Sequence, residues 1–360
     1  MFHRSKLARA GGIVTALTVL VAGCTSASAP TLTQAPAQPA ATTAPAAATG
    51  AMPKVTIMVG GLNKQIYLSA VLTQQLGYWK DEGVDVSLVD EPSGQSAEDA
   101  LLAGEVQFAF GSYDHTISLQ GLKKNVVDVF QALIAPGEAE MVSTKAADTL
   151  KSPADFKDKN LGVTSIGSGT HTLTQFLAVK NNVAIDTIHP IAVGAGDTFI
   201  AAVKQGKIDA GMTTEPTISR LLKGGDAKVL VDLRTPEGTR AALGGDYPFT
   251  SFWAQQKWID DNKPTVQKVV NGLVKTHKYI ATHSPEEIAT KMPEDYYAGD
   301  KDLYLTALKG QMKMYSPDGR MPQGGPEFVL SVLKQFDENV KDKQIDLSKT
   351  YTAEFVDAAR

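Results

Sequence analysis

The chain has 360 residues, 43% of them apolar and 21% charged, with a formal charge of −4, one cysteine and six histidines. That length and apolar content support one large or two medium globular domains, and the mildly acidic balance argues against nucleic acid as a partner. One cysteine excludes an internal disulfide framework, and the scattered histidines have no metal-ligand spacing, so neither a metal nor a cofactor is expected.

The N-terminal stretch carries Arg4, Lys6 and Arg9, then an apolar run from Ile13 to Ala22 that ends in Val21-Ala22-Gly23-Cys24. A basic segment, a short apolar segment and small residues before a cut describe a secretory signal over 1–23. The run falls short of the ~20 residues that a stable membrane span needs. Removing three basic residues and no acid takes the charge from −4 to about −7 and leaves Cys24 first. From Thr25 to Pro53 there is no charged residue, and Ala, Thr, Pro, Ser and Gln dominate. Such a segment cannot bury a core, so 24–53 reads as a flexible tether.

Folded structure is expected from Lys54. Val55–Val59 reads as a strand, Gly60–Asn63 as a turn, and Gln65–Leu76 as a helix with Leu68, Val71, Leu72 and Leu76 on one face, ended by Gly77. Val84, Val86 and Leu88 alternate with polar residues in a second strand. Ala97–Ala103 is helical, Gly104 breaks it, and Val106–Phe110 is a third strand. The pattern restarts at Ser152-Pro153-Ala154-Asp155, a capped helix start. It continues through a strand at Leu161–Thr164, a helix over Thr170–Lys180 and a strand at Ile188–Val193. A helix at Thr198–Lys204 and a strand at Ile208–Met212 follow. Strands alternating with helices predict an α/β fold with mainly parallel, helix-covered sheets. Ala100–Ala109 echoes Ala202–Gly211, and after a polar loop each continues with Thr-Ile-Ser, which fits two similar lobes, although any βαβ fold yields such patterns. Val266, Val269, Val270, Leu273, Val274, His277 and Ile280 form a helical stripe. Ser284–Glu287 is another helix start, and Phe328–Phe336 a further helix.

Ligands of parallel sheets gather at the C-terminal ends of the strands. That rule selects Asn63, Lys64 and Gln65 after the first strand, Gln95 after the second, and Ser112, Tyr113, Asp114 and His115 after the third. In the second half it selects Ser165, Ser168, Gly169, Thr170, His171, Asp197 and Glu215, while Trp253 falls where the chain returns to the first lobe. The loop Ser165-Ile166-Gly167-Ser168-Gly169-Thr170-His171 has the composition of an anion site. Glycines allow a tight turn, and the N–H groups of the following helix then face outward, with hydroxyls beside them. The same residues would also serve as an ordinary helix cap. No Lys follows the glycines, so this is not a nucleotide loop. No G-x-S-x-G elbow accompanies Asp114-His115, which reads as a ligand-contacting or loop-holding pair rather than catalytic residues.

These features resemble a known family. Gly77-Tyr78-Trp79-Lys80-Asp81-Glu82-Gly83-Val84-Asp85-Val86 is similar to the GYFKKEGLDV segment of solute-binding proteins of nitrate, sulfonate and taurine importers. Ala103–Ala109 resembles their AGEVDFA, Leu161–His171 their second-lobe opening, and Gly206–Ala210 with Thr214-Glu215-Pro216 their GEIDAA…TEP. Val21–Cys24 resembles a bacterial lipobox, which implies acylation of Cys24. The resemblance implies a two-lobed periplasmic-binding-protein fold of type II, with lobe 1 over 54–142 and 251–360 and lobe 2 over 143–250. The two crossovers would fall near Val142-Ser143 and Phe249-Thr250. It implies a lipid-anchored monomer on the extracytoplasmic face of the membrane that closes on a small anion and delivers it to an ABC permease, without being an enzyme. The same superfamily includes thiamine-pyrimidine synthases, so a heteroaromatic ligand, or a sensor or enzyme on this fold, is the alternative. Only Lys64 and two histidines among the candidates can be cationic. Asp114, Asp197 and Glu215 disfavour a bare divalent anion, which leaves room for a zwitterion or an amine-bearing sulfonate.

Overall fold

The computed structural model describes residues 51–297 and 299–360. The signal segment, Cys24 and nearly all of the tether lie outside the described residues; 51–53 lead irregularly into the first strand. Among the described residues no helix is long and apolar enough to cross a membrane.

The strands are β1 (Lys54–Val59), β2 (Asp85–Asp90), β3 (Phe108–Ser112), β4 (Val126–Gln131), β5 (Glu138–Ser143), β6 (Asn160–Val163), β7 (His189–Ala192), β8 (Ala210–Thr214), β9 (Ala227–Leu233) and β10 (Thr250–Gln255). They form two five-stranded sheets, ordered β2-β1-β3-β10-β4 and β7-β6-β8-β5-β9. Four strands of each sheet run in one direction, and β10 and β5 run antiparallel to them in fourth place. The two sheets thus share one topology, each borrowing its antiparallel strand from a crossover. Helices cover both faces of such sheets, so the parallel strands read as nearly continuous apolar runs.

Sequence-based expectation places 138–142 in the first lobe. The structure pairs this strand with β8 and β9, so the chain leaves the first sheet after Gln131 and enters the second at Glu138. It returns between Leu233 and Thr250. β3 and β8 begin at Phe108 and Ala210, two residues later than their apolar runs, because Val106 and Ile208 lie in the turn after each glycine break.

The site helices are α1 (Leu68–Gln75), α2 (Tyr78–Asp81), α3 (Gly94–Ala103), α4 (Asp114–Gly121), α5 (Gly169–Lys180), α6 (Asp197–Gln205), α7 (Thr217–Gly224) and α8 (Pro236–Leu243). A single 3-10 turn at Gln65–Tyr67 precedes α1. α3 starts earlier than its apolar period suggests, because the Ser93 hydroxyl accepts the N–H of Ser96. The capped start at Ser152 yields only one 3-10 turn, Pro153–Asp155. Downstream come α9 (Gln256–Asp261), α10 (Lys263–Thr282), α11 (Pro285–Ala289), α12 (Lys301–Gln311), α13 (Gly325–Leu333) and α14 (Glu354–Asp357). The stripe Val266, Val269, Val270, Leu273, Val274, His277 and Ile280 of α10 is buried, and the helix packs on α1 and α2. Gly272 lets Trp79 close on α10: a Cβ there would lie 2.5 Å from the indole.

Candidate functional site

The C-terminal ends of the parallel strands of the two sheets face one another. Between them lies a narrow cavity of about 20 Å³. Lys64, Tyr67, Gly94 and Ser112 line it from the first sheet, Phe249 from the return segment, and Glu138, Thr164, Ser168, Gly169, Thr170 and Thr214 from the second. A wider groove of about 290 Å³ is lined by Gln95, Glu98, Asp114 and His115 on one side and Ile166, Gly167 and His171 on the other.

The glycine loop is built as a helix start. Gly167 sits at φ +88°, a conformation that side chains resist. Gly169 is required for a different reason than turn geometry: a Cβ would lie 2.5 Å from Phe249 Cζ and 2.8 Å from Ser112 Oγ across the cavity. The hydroxyls that the sequence offers to a ligand are spent on one another. Thr164 Oγ1 donates to Ser168 Oγ (2.9 Å), Ser168 Oγ lies 2.7 Å from Thr170 Oγ1, and Ser168 also donates to the Ser165 carbonyl (2.7 Å). They shape the loop, while the N–H groups of Gly169, Thr170 and His171, the first three of α5, have no backbone acceptor. His171 Nδ1 accepts the Gly167 N–H at 3.2 Å, and burial lowers this histidine to about 4, so it is neutral.

The first sheet supplies Lys64, whose ammonium donates to the Gly60 carbonyl (2.5 Å) and the Pro92 carbonyl (3.3 Å). Burial lowers it to about 8, against the pull of Glu138 and Asp90. Ser112 Oγ and Thr214 Oγ1 are buried without a hydrogen-bond partner among the described residues, as is Glu138 Oε2. Burial pushes Glu138 well above the usual carboxyl range. Lys64 opposes that shift, and Asp114 and Glu140 reinforce it.

His115 stands between the two chambers. Its Nδ1 pairs with Glu98, its ring stacks on Trp253 at 5.6 Å, and its buried Nε2 has no partner among the described residues. That nitrogen lies 3.7 Å from where a Cβ on Gly94 would stand. Burial alone would lower this histidine, but the Glu98 charge and hydrogen bond, with Asp114 and Asp99, raise it to about 9. Asp114 lies in the first turn of α4 rather than in a loop; its Oδ2 accepts from Tyr247 at 3.4 Å and its Oδ1 is unpaired.

Lys64, Ser112, Ser168, Gly169 and Thr170 therefore line the cavity, and Gln95, Asp114, His115 and His171 the groove. The other candidates lie elsewhere. Asn63 is exposed. Gln65 is buried against the Tyr304 carbonyl and Gln311. Tyr113 bonds Thr350 in the core. The Ser165 hydroxyl is buried beside the loop without lining either chamber. Asp197 is exposed and paired with Arg220. Glu215 is fully buried, held by Arg234 at 2.9 Å and by Ser219. Trp253 is buried and donates to the Gly111 carbonyl at 3.2 Å. Sequence reasoning missed Glu138 as a lining residue. The available signal was Glu138-Ala139-Glu140, two acids on one face of a strand whose other face, Ala139 and Met141, is core. Among the described residues no cluster of three or more His, Cys, Asp or Glu could hold a metal ion.

Two matched lobes closing strand ends over a cavity define the periplasmic-binding-protein fold. The sequence model of the family described as NMT1/THI5 like matches residues 67–288, and the chain belongs to that family. A solved structure of a protein from Bordetella bronchiseptica RB50 is 34% identical, covers 85% of this chain and 96% of its own, and superposes with a TM-score of 0.81. The alkanesulfonate-binding protein SsuA from Xanthomonas axonopodis pv. citri, bound to MOPS, is 18% identical over 85% of this chain and 99% of its own, with a TM-score of 0.66. YtlA of Bacillus subtilis (strain 168) is 21% identical over 76% of this chain and 80% of its own length.

Proposed function

We propose that this protein is the extracytoplasmic solute-binding component of an ABC importer, capturing a small organic or inorganic anion between its lobes. The observation that carries the reading is the cavity between the sheets where the first N–H groups of α5 meet the unpaired hydroxyls of Ser112 and Thr214. A helix N-terminus with free amides favours an oxyanion, and buried unpaired donors are costly unless a ligand completes them. Family membership and the sulfonate-binding SsuA at 18% identity support the ligand class. Gly169 and Thr170 hold the anionic end through their amides, Ser112 and Thr214 add hydroxyl donors, and Lys64 supplies the nearby cation. Delivery is to a membrane permease, the ligand leaves chemically unchanged, and Cys24 carries a lipid anchor that Cys24→Ala would remove in membrane fractionation.

A thermal-shift and calorimetric screen of the purified protein against nitrate, alkanesulfonates, small carboxylates and pyrimidines tests this reading. At least one anion should bind saturably at one site and be recovered intact. Binding of neutral pyrimidines alone, no anion binding at all, or conversion of the bound compound overturns it.

A further inference from the structure

Glu138 lines the cavity between the sheets, and anion capture as described gives it no part. An acid beside an anion site works against binding unless its charge is removed. Its side chain is 2% exposed, and its Oε2 has no hydrogen-bond partner among the described residues. Lys64, the cation that lines the same cavity, donates to the Gly60 and Pro92 carbonyls and makes no ion pair with Glu138. Arg234 follows the β9 residue that pairs with Glu138, and it is committed to Asp232 and Glu215. Asp114 on α4 and Glu140 on β5 add negative charge around it, and His115 pairs its Nδ1 with Glu98. The Tyr67 and Tyr247 phenols are pushed up by burial and stay neutral. A buried carboxylate with no donor and two acids facing it takes up a proton, which is the direction in which burial pushes Glu138.

The cavity decides what that proton meets. Glu138 and Thr214 stand directly opposite each other on β5 and β8, so their Cβ atoms lie ~4.5–5.5 Å apart on one face of the sheet. Both side chains line the cavity, together with Ser112 and the first residues of α5. A volume of about 20 Å³ holds one small group, since a single water needs ~10–15 Å³. An oxyanion oxygen seated against the Ser112 and Thr214 hydroxyls therefore touches the Glu138 carboxyl as well. An ionised carboxyl would repel it there; a protonated one would donate to it.

Resting on the anion-capture reading above, we infer that Glu138 is a binding residue in its neutral form, donating the hydrogen bond of a protonated carboxyl to the bound oxyanion. The proton stays on Glu138 and the ligand keeps its charge. The site thus holds an anion together with a proton carried by the protein.

Infrared difference spectroscopy, anion-bound minus free, reads the C=O stretch of a protonated carboxyl, and calorimetry reads the affinity. The probes are nitrate and methanesulfonate, followed by any other anion that binds in the wider screen. Saturation should produce or shift a protonated-carboxyl band that is absent in Glu138→Gln and survives in Glu140→Gln. Glu138→Gln keeps a donor of the same reach and should bind within about threefold of the parent, while Glu138→Leu has no donor and should lose roughly 10- to 100-fold. Saturable binding without a band that belongs to Glu138 overturns the inference and leaves anion capture intact. A Glu138→Gln that loses tenfold or more overturns it too, because the site then needs the charge or the acceptor. A Glu138→Leu that binds like the parent does the same, because the carboxyl then touches nothing. Should Glu138→Leu fail to fold, the band and the Glu138→Gln affinity decide. Silence from nitrate, methanesulfonate and every other anion of the screen removes the importer reading and this inference with it.

Discussion

Gly169 shows how one residue can be legible in kind but not in cause. The sequence marks it as a turn glycine, yet it is the first residue of α5 and its φ is not positive; the side-chain space it lacks is occupied by Phe249 and Ser112 across the cavity. Gly169→Ala should therefore act on closure rather than on folding of either lobe. Overpacking of this kind costs ~1–3 kcal/mol, or roughly 5- to 150-fold in affinity. Gly310→Ala is the control: it lies inside α12 with nothing within 4 Å of the new Cβ and should leave binding unchanged while stabilising the chain by ~0.4–1 kcal/mol. If Gly169→Ala binds as tightly as the parent, the two lobes do not meet at this point in the bound state. His115 offers a pH test at the same scale. Glu98 raises it to about 9, against an ordinary value of 6.5, so the folded state holds its proton more tightly than the unfolded chain. The resulting stability is complete below pH 6.5 and disappears as the pH rises through 9. The melting temperature of Glu98→Gln should lie furthest below that of the parent between pH 5 and 6.5, and the gap should narrow above pH 9. A gap that does not depend on pH would make the pair a packing contact.

At the scale of elements, legibility followed burial pattern. The parallel strands β1, β6 and β7 announce themselves by apolar or alternating runs, and α10 by its 3.6-residue stripe. The first turns of α3 and α4 did not, because Ser93, Gly94, Gln95, Asp114 and His115 are polar residues held by capping and by the cleft rather than by an apolar face. β5 was the hardest element. Its alternation of acid and apolar residues describes a strand with one face in water, yet all six residues are buried, because it is inserted between β8 and β9 with its acids turned inward. The same physics hid Glu138: an acid is expected outside unless a partner on another element compensates it, and no local pattern names that partner. The glycine loop is readable as a helix start with free amides, because these follow from chain geometry alone. The role of its hydroxyls was not readable, since the Thr164–Ser168–Thr170 cluster depends on β6 and α5 meeting in space.

For the whole molecule, the described residues form one compact unit with a narrow cavity between the two sheets. If ligands enter by parting of the lobes, an open form is reached by rotation at the two connecting segments, 132–137 and 234–249. Few polar ties oppose that rotation. The Gln65 N–H donates to the Glu215 carbonyl at 3.2 Å, Lys313 pairs with Glu237 at 3.2 Å, and Lys223 pairs with Asp300. Both ion pairs are solvent-accessible and so contribute little, ~0–1 kcal/mol each, less in salt. The cavity walls, by contrast, hold Lys64, Glu138, Ser112 and Thr214 buried with few partners within the chain, which favours opening unless a ligand completes them. The free protein should therefore populate the open form and the liganded protein the shut one. Small-angle scattering should show a radius of gyration that falls on saturation with a bound anion from the screen. Raising salt from 0.05 to 0.5 M should widen the ligand-free form further, if the two ion pairs are what restrains it, on the order of the screening expected when the Debye length drops from more than 10 Å to less than 8 Å. A free form that already has the radius of the liganded one at both salt concentrations would mean that the lobes do not part, and that the ligand enters through the groove between Gln95 and Gly167 instead.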